Sequence, residues 1–391
     1  MIYSRKLWLA VPVGVVLVSS LLLAVVPERV AHNALFPHGV RLVRDDYDRS
    51  IYYARAAWFP EHKVPYKEVF SEYPQLATYF FALPLLVARG LYSYMLAFSV
   101  LAGLAYILLC YVTLRLLDLL RMPRQSLILL FLPSFLYFTF NRYDIFPALF
   151  VSLSFWMLLK GRVKSSWLAL AIAVLFKWYA LVLVPVYLVY LHKKRKLRLG
   201  ALAWFAAPIV AVCAYTVATA GWGGLMSPYL WHLARTQNYD SLLFLLQNWF
   251  HLPQSGLVLT AFFFLQALSL FVPPLMLWKT AGASAKQLAR WATIAILLFI
   301  IFAKFYSPQW VIWFYPLLCL VIDGRLLFLV LAMDIANYAE YPVGYALWEG
   351  GRFGWYVLIT ALRTALMLVL VYKLFSEKGT FLRDDLSHSN V

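Results

Sequence analysis

The chain has 391 residues, 64% of them hydrophobic and 13% charged, with a mean hydropathy of +0.76 and a net charge of +17. A soluble domain carries about 45–50% apolar and about 25% charged residues, so the composition excludes a soluble globular protein and points to a polytopic membrane protein. The positive charge follows from basic loops facing anionic lipid headgroups; in a chain this apolar it is not a nucleic-acid signature.

The first apolar stretch, Trp8–Val26, follows Arg5–Lys6 and exceeds the ~7–15 residues of a signal-peptide core, so it reads as a signal anchor. Further spans are expected near 92–116, 126–141, 145–160, 165–176, 179–191, 199–219, 256–278, 288–304, 309–323, 325–340 and 353–374. Basic clusters at Arg5/Lys6, Arg115/Arg121/Arg124, Lys160/Arg162/Lys164, Lys193–Arg198, Lys279/Lys286/Arg290, Arg325 and Lys373/Lys378/Arg383 fall on one side of this arrangement. That side is assigned to the cytoplasm, with both termini, in a cell (plasma) membrane protein. Pro74–Ala88 is apolar but short and carries two prolines, so it is expected to lie in the outer leaflet. Two long outer segments remain, 27–73 and 221–255, in what reads as a single membrane domain over 1–391. Cys110, Cys213 and Cys319 are far apart in apolar runs, with no ligand spacing; no disulfide framework, metal site or cofactor is expected.

The ionic residues inside or beside apolar runs carry the functional signal. Asp48, Arg142, Asp144 and Lys177 all map to the outer side. The segment Arg44–Phe59 places Asp48, Tyr52, Arg55 and Phe59 on one helical face, which suits a helix on the membrane surface, and an amphipathic surface helix with solvated acids fits equally. Ser165–Phe176 and Tyr179–Leu191 have 12 and 13 residues, so each helix reaches only about 18–20 Å against a hydrocarbon core of about 30 Å. A partial hairpin then holds Lys177 below the outer surface, where a charge costs roughly 2.5–3.5 kcal/mol unless water or an anion meets it. The alternative is a lysine that snorkels to the headgroups.

An Asp four residues before Tyr52, then Val64-Pro65-Tyr66 and Glu72-Tyr73-Pro74-Gln75-Leu76-Ala77, resembles the first outer loop of the GT-C glycosyltransferases. Asn141-Arg-Tyr-Asp144-Ile-Phe-Pro147, Phe176-Lys177-Trp-Tyr179, His232-x-x-Arg235 and Tyr306-Ser-Pro-Gln-Trp310 extend the resemblance over residues 40–320, nearest to the family 87-type branch of polyprenol-phosphomannose-dependent mannosyltransferases. Gln75 departs from it, standing where a second proline is usual.

The resemblance implies an all-α bundle of about 11–13 transmembrane helices, with outer-face loops and juxtamembrane helices. It implies transfer of a hexose, mannose in the first instance, from a polyprenyl-phosphate sugar donor to a lipid or glycan acceptor at the outer face. Polyprenyl phosphate leaves readily, so the chemistry needs a carboxylate to take the acceptor proton and cations to meet the phosphate. Asp48 is assigned as base, with Asp46 as alternative; Lys177, His232 and Arg235 as phosphate-binding; and Asp46, Tyr52, Glu72, Tyr73, Arg142 and Asp144 as substrate-binding. Interaction with membrane lipids is expected and with nucleic acid is not. The competing function is a multi-span transporter or lipid flippase; the concentration of polar residues in outer loops and the lack of paired hydropathy halves argue for the enzyme.

Overall fold

The computed structural model describes residues 5–280 and 282–376. The expectations at both chain ends, including the basic residues Lys378 and Arg383, lie outside the described residues. Within them the chain is helical, without strands; backbone pairing of β type is limited to the isolated bridges Val30–Val40 and Pro65–Val69.

The first helix is the apolar α1 (Arg5–Val25). A loop then leads to α2 (Asp46–Ala56), whose start is written locally: the Asp45 carboxylate accepts the Tyr47 N–H, Asp46 and Asp48 occupy the first turn, and Arg55 the last. Helix α2 stops at Ala56, so Phe59, expected on its face, lies beyond it. The proline-bearing segment forms α3 (Gln75–Phe80) and a 3-10 turn at Leu83–Leu86, both too short to cross a membrane. Then follow α4 (Leu91–Leu120), α5 (Pro133–Asn141) and α6 (Ile145–Leu159). Arg142 is extended between α5 and α6, which bend by 111° there, so Pro133–Asn141 and Ile145–Leu159 make a broken helix pair.

Helix α7 (Val163–Phe176) ends where Lys177 turns extended, at φ −160° and ψ 126°; a 3-10 turn, Trp178–Val182, leads into α8 (Leu183–Lys193). Next, α9 (Leu199–Ala234) runs through a kink at Gly221, whose φ of +71° requires glycine. The expected loop at 221–255 is therefore largely helical: α9 continues past the expected end of its span, and α10 (Leu242–Phe250) follows. Gly224 lets α9 approach the first loop, because a Cβ there would sit 2.9 Å from the Tyr66 carbonyl oxygen.

The remaining elements are α11 (Gly256–Lys279), α12 (Ala285–Ile301), α13 (Val311–Leu318), α14 (Gly324–Tyr338), α15 (Tyr345–Glu349) and α16 (Phe353–Ser376). A cap stops or starts them where the sequence allows: Ser284 and Gln287 form a capping box on α12, and Asp323 accepts two N–H groups at α14. By length and composition α4, α9, α11, the run Gly324–Glu349 and α16 are able to cross a membrane alone. A buried core, rich in aromatic rings, extends from α4 through α6, α7, α12 and α13 to α16. Helices α9 and α11 bury little of their apolar surface; Trp204, Val210 and Tyr215 on one and Phe263, Phe264 and Phe271 on the other stay exposed, as lipid-facing side chains do.

Candidate active site

Three breaks in the helical pattern meet at one end of the bundle: the start of α2, the α5–α6 turn and the α7–α8 turn. The α5–α6 turn supplies Arg142 and Asp144, and each goes to a different partner. Arg142 Nη2 donates to Asp45 Oδ2 at 2.5 Å, while its Nε lies 2.8 Å from Asp48 Oδ2. Asp144, fully buried, accepts from Lys177 Nζ at 2.6 Å, from the Trp313 indole N–H at 2.6 Å and from the Gln309 amide at 3.4 Å. Arg142 and Asp144 thus do not pair with each other; with Gln309 and Trp313 their contacts join four chain segments.

Asp45 is fully buried and also accepts the Tyr341 hydroxyl at 2.7 Å. Burial alone would raise its pKa, but the Arg142 charge and the hydrogen bonds from Tyr341, Arg142 and the Tyr47 N–H bring it down to about 2. Asp48 differs. Its side chain keeps 20% exposure, and its carboxyl is pushed above the ordinary value of 3.8, first by burial. Arg142 and Lys177 pull it down; the like charges of Asp45 and Asp144 push it up. One carboxylate is locked as an anion and the other is poised to change protonation.

Tyr52 is fully buried; its ring stacks on Phe81 at 4.5 Å, and its hydroxyl points at Asp48 Oδ2, 3.5 Å away. Tyr73 packs edge-on against Tyr52, Phe81 and Tyr143, with centroids 5.8, 5.1 and 5.5 Å away. Lys177 Nζ lies over Tyr143 at 4.6 Å and Trp313 at 5.2 Å. With one N–H given to Asp144, two ammonium N–H groups remain for a ligand. Hydrogen bonding to a buried carboxylate holds this lysine in place, so the snorkelling alternative is replaced.

Beyond Lys177, Trp178 stacks on Tyr229 at 4.3 Å and meets His232 edge-on. Arg235 lies over Phe305 at 4.5 Å and Trp231 at 5.1 Å, and its side chain makes no hydrogen bond or ion pair among the described residues. His232 Nε2 is 3.0 Å from the Glu72 carbonyl oxygen. The Glu72 carboxylate takes Arg55 at 3.0 Å, and Lys304 Nζ donates to the Leu233 carbonyl at 2.7 Å.

Several expected substrate contacts take other positions. Both Asp46 oxygens face arginine: Arg44 at 2.6 Å and the buried Arg49, itself held by Ser99, at 2.6 Å. Asp46 therefore fastens α2 to α4 and is a poor alternative base. Tyr52, Arg142 and Asp144 are buried and occupied, and their geometry is that of positioning residues. His232 donates to a carbonyl in its neutral form and then keeps only an acceptor nitrogen, which does not bind phosphate.

Sequence reasoning missed Tyr341, Gln309 and Trp313 as partners of these carboxylates. It also missed a second buried cluster in which Arg363 holds Glu340 at 2.7 Å and stacks over Tyr306 at 3.6 Å. An arginine inside the apolar run of α16 was the available signal for that cluster.

Among solved structures, ArnT from Cupriavidus metallidurans, bound to undecaprenyl phosphate, superposes with a TM-score of 0.54. The match covers 95% of this chain and 77% of that one at 15% sequence identity. The chain has the GT-C membrane fold. No protein-family model matches the sequence, and no curated protein matches it. Fold likeness at this identity speaks for the helical architecture of a multi-pass membrane protein; what the GT-C bundle does in this chain rests on its own side chains.

Proposed function

We propose that the protein is a membrane glycosyltransferase that moves a hexose, mannose in the first instance, from a polyprenyl-phosphate donor to a hydroxyl of a lipid or glycan acceptor. The observation that carries this reading is the pairing of unlike groups at one end of the bundle. A partly open carboxylate, Asp48, is held by Arg142, while the cation Lys177 keeps free N–H groups in the break of a short helical hairpin. That the neighbouring GT-C structure holds undecaprenyl phosphate supports a phosphate-linked lipid as the donor.

In this reading Asp48 accepts the acceptor hydroxyl proton as its oxygen bonds to the anomeric carbon. The bond from that carbon to the phosphate oxygen breaks, and its electron pair leaves with the polyprenyl phosphate. Lys177 and Arg235 meet the phosphate charge, Lys177 by hydrogen bonding and Arg235 as a cation held on aromatic faces. Asp144 and Asp45 keep Lys177 and Arg142 in place, and Tyr73 with Glu72 lines the acceptor side. In this reading the active site lies on the outer membrane face, a placement that the basic clusters at the other helix ends support.

Incubating the purified full chain with radiolabelled polyprenyl-phosphate mannose or glucose and a membrane lipid extract tests the proposal. Donor consumption with appearance of labelled lipid or glycan is expected. Failure to consume any hexose donor, together with donor movement across proteoliposome membranes, would replace it by the flippase reading.

A further inference from the structure

The far end of α8 carries a second site, unrelated to the sugar chemistry. Lys177 precedes this helix; the eleven residues of α8 alone place its other end about 16 Å further along the bundle at 1.5 Å per residue. There His192, Lys193, Arg195, Leu197 and Trp278 line an open cavity of about 650 Å³. Its walls are built. Lys193 Nζ donates to the carbonyls of Trp278 at 2.7 Å and Thr280 at 2.5 Å, fastening the last turn of α11 to α8. The His192 ring packs on the Trp278 indole with centroids 5.2 Å apart.

The cations of this cavity are not all spent on the protein. Arg195 makes no side-chain hydrogen bond or ion pair among the described residues, and the same is true of its neighbours Lys194, Lys196 and Arg198. On the other side, the wall continues from Trp278 onto Leu275 and Phe271 of α11, all more than half exposed. A phosphate-sized ion would leave most of the volume empty and would have no use for this apolar rail. A phosphodiester headgroup with acyl chains fits both parts.

We propose that this cavity binds an anionic phospholipid, its phosphate on Arg195 and His192 and its acyl chains along α11. A basic recess between membrane helices, bordered by an interfacial tryptophan, is suited to such a headgroup. The bound lipid would tie α8 to α11 at the end opposite Asp48.

The test uses a variant expected to fold at least as well as the parent. Arg195 sits at φ +55°, a left-handed position where glycine is favoured, so Arg195→Gly removes the cation without backbone strain. Arg121 ends α4 in the same way, at φ +53°, outside this cavity, and Arg121→Gly is the matched control. Native mass spectrometry of the full chain in neutral detergent, titrated with phosphatidylglycerol, reads the affinity. Arg195→Gly is expected to weaken binding about fivefold, the factor for one basic residue near an anionic lipid surface, with Arg121→Gly close to the parent. Equal behaviour of the two variants would overturn the site, as would phosphatidylcholine binding as tightly as phosphatidylglycerol. Displacement of phosphatidylglycerol by millimolar inorganic phosphate would overturn the lipid assignment in favour of a soluble anion.

Discussion

Asp45 caps α2, Asp48 lies in its first turn and both meet Arg142, yet they have opposite characters. Asp45 is sealed, triply hydrogen-bonded and anionic down to about pH 2, so a substrate hydroxyl has no path to it. Asp48 retains an open side and a pKa raised above the ordinary carboxylate value, the direction that favours a general base. Asp48→Asn is expected to lower turnover by roughly 10²–10⁴-fold with folding intact, and Asp46→Asn to leave it near normal. The pH profile carries the same assignment. A base with a raised pKa is protonated as pH falls, so kcat/KM should decline on an acid limb centred above 3.8, and the limb should be absent from the residual activity of Asp48→Asn. A limb that persists unchanged in that variant assigns the titration to another group. Lys177→Met keeps most of the aliphatic stem and removes the charge. Losing a charge-assisted bond worth about 1.5–3 kcal/mol should weaken donor binding roughly ten- to a hundredfold with every acceptor tested; an unchanged donor affinity removes Lys177 from the phosphate site.

Helix ends, rather than helix faces, build the site. The backbone is extended at Arg142 and at Lys177, and at both places the chain turns back with an ionic side chain at the tip. A helix break leaves polar backbone groups without partners, and it is tolerated at membrane depth only where protein or water satisfies them. Here α2, α3 and the start of α13 cover the tips, and the carboxylates of Asp45 and Asp144 satisfy the cations. The Arg142 tie should be a structural necessity as well as a functional one. Arg142→Leu leaves the buried Asp45 with only Arg41 Nε, 3.7 Å from its Oδ1, as counter-charge, and breaking such a pair costs up to about 3–5 kcal/mol. Thermal unfolding in detergent should show a large drop, partly recovered when Asp45→Asn is added; no recovery in the double variant would mean that α2 depends on Arg142 for packing alone. The Asp45 contribution also has a sign in pH. Its folded pKa is depressed, so the stabilisation is complete above about 3.8 and disappears as pH falls through about 2.

At the scale of the molecule, two chemically different ends are held apart by the bundle. One gathers Asp48, Lys177 and Arg235; the other gathers the unpaired cations after α8 and the cavity beside Trp278. On the proposed reading, the positive-inside rule predicts the second end in the cytoplasm and the first outside. Replacing Cys110, Cys213 and Cys319 by alanine and introducing His62→Cys or Lys194→Cys, one at a time, makes this measurable in intact cells. A membrane-impermeant maleimide is expected to label position 62 directly and position 194 only after permeabilisation. The reverse pattern would invert the orientation and move the active site to the cytoplasmic face. The exposed flanks of α9 and α11 require lipid around them in either orientation.

The sequence by itself determined the membrane class, most helix positions and the ionic residues that matter, because hydropathy, proline and charge act locally. The short hairpin around Lys177 was legible from the lengths of two apolar runs and the basic cluster that follows them. Asp334 and Asn337, polar residues inside the apolar run of α14, bond to Tyr315 and Tyr306. Only the tertiary structure decided which carboxylate is open. Asp45, Asp46 and Asp48 are alike in type and adjacent in sequence, and what separates them is contacts with Tyr341, Arg49 and Arg142, between 3 and 296 residues away along the chain. The helical continuation of α9 past Gly221 was hidden because the polar and aromatic residues that mark an outer loop also suit a helix leaving the bilayer. Local pattern names the charged groups; long-range packing assigns each to a partner or leaves it free to react.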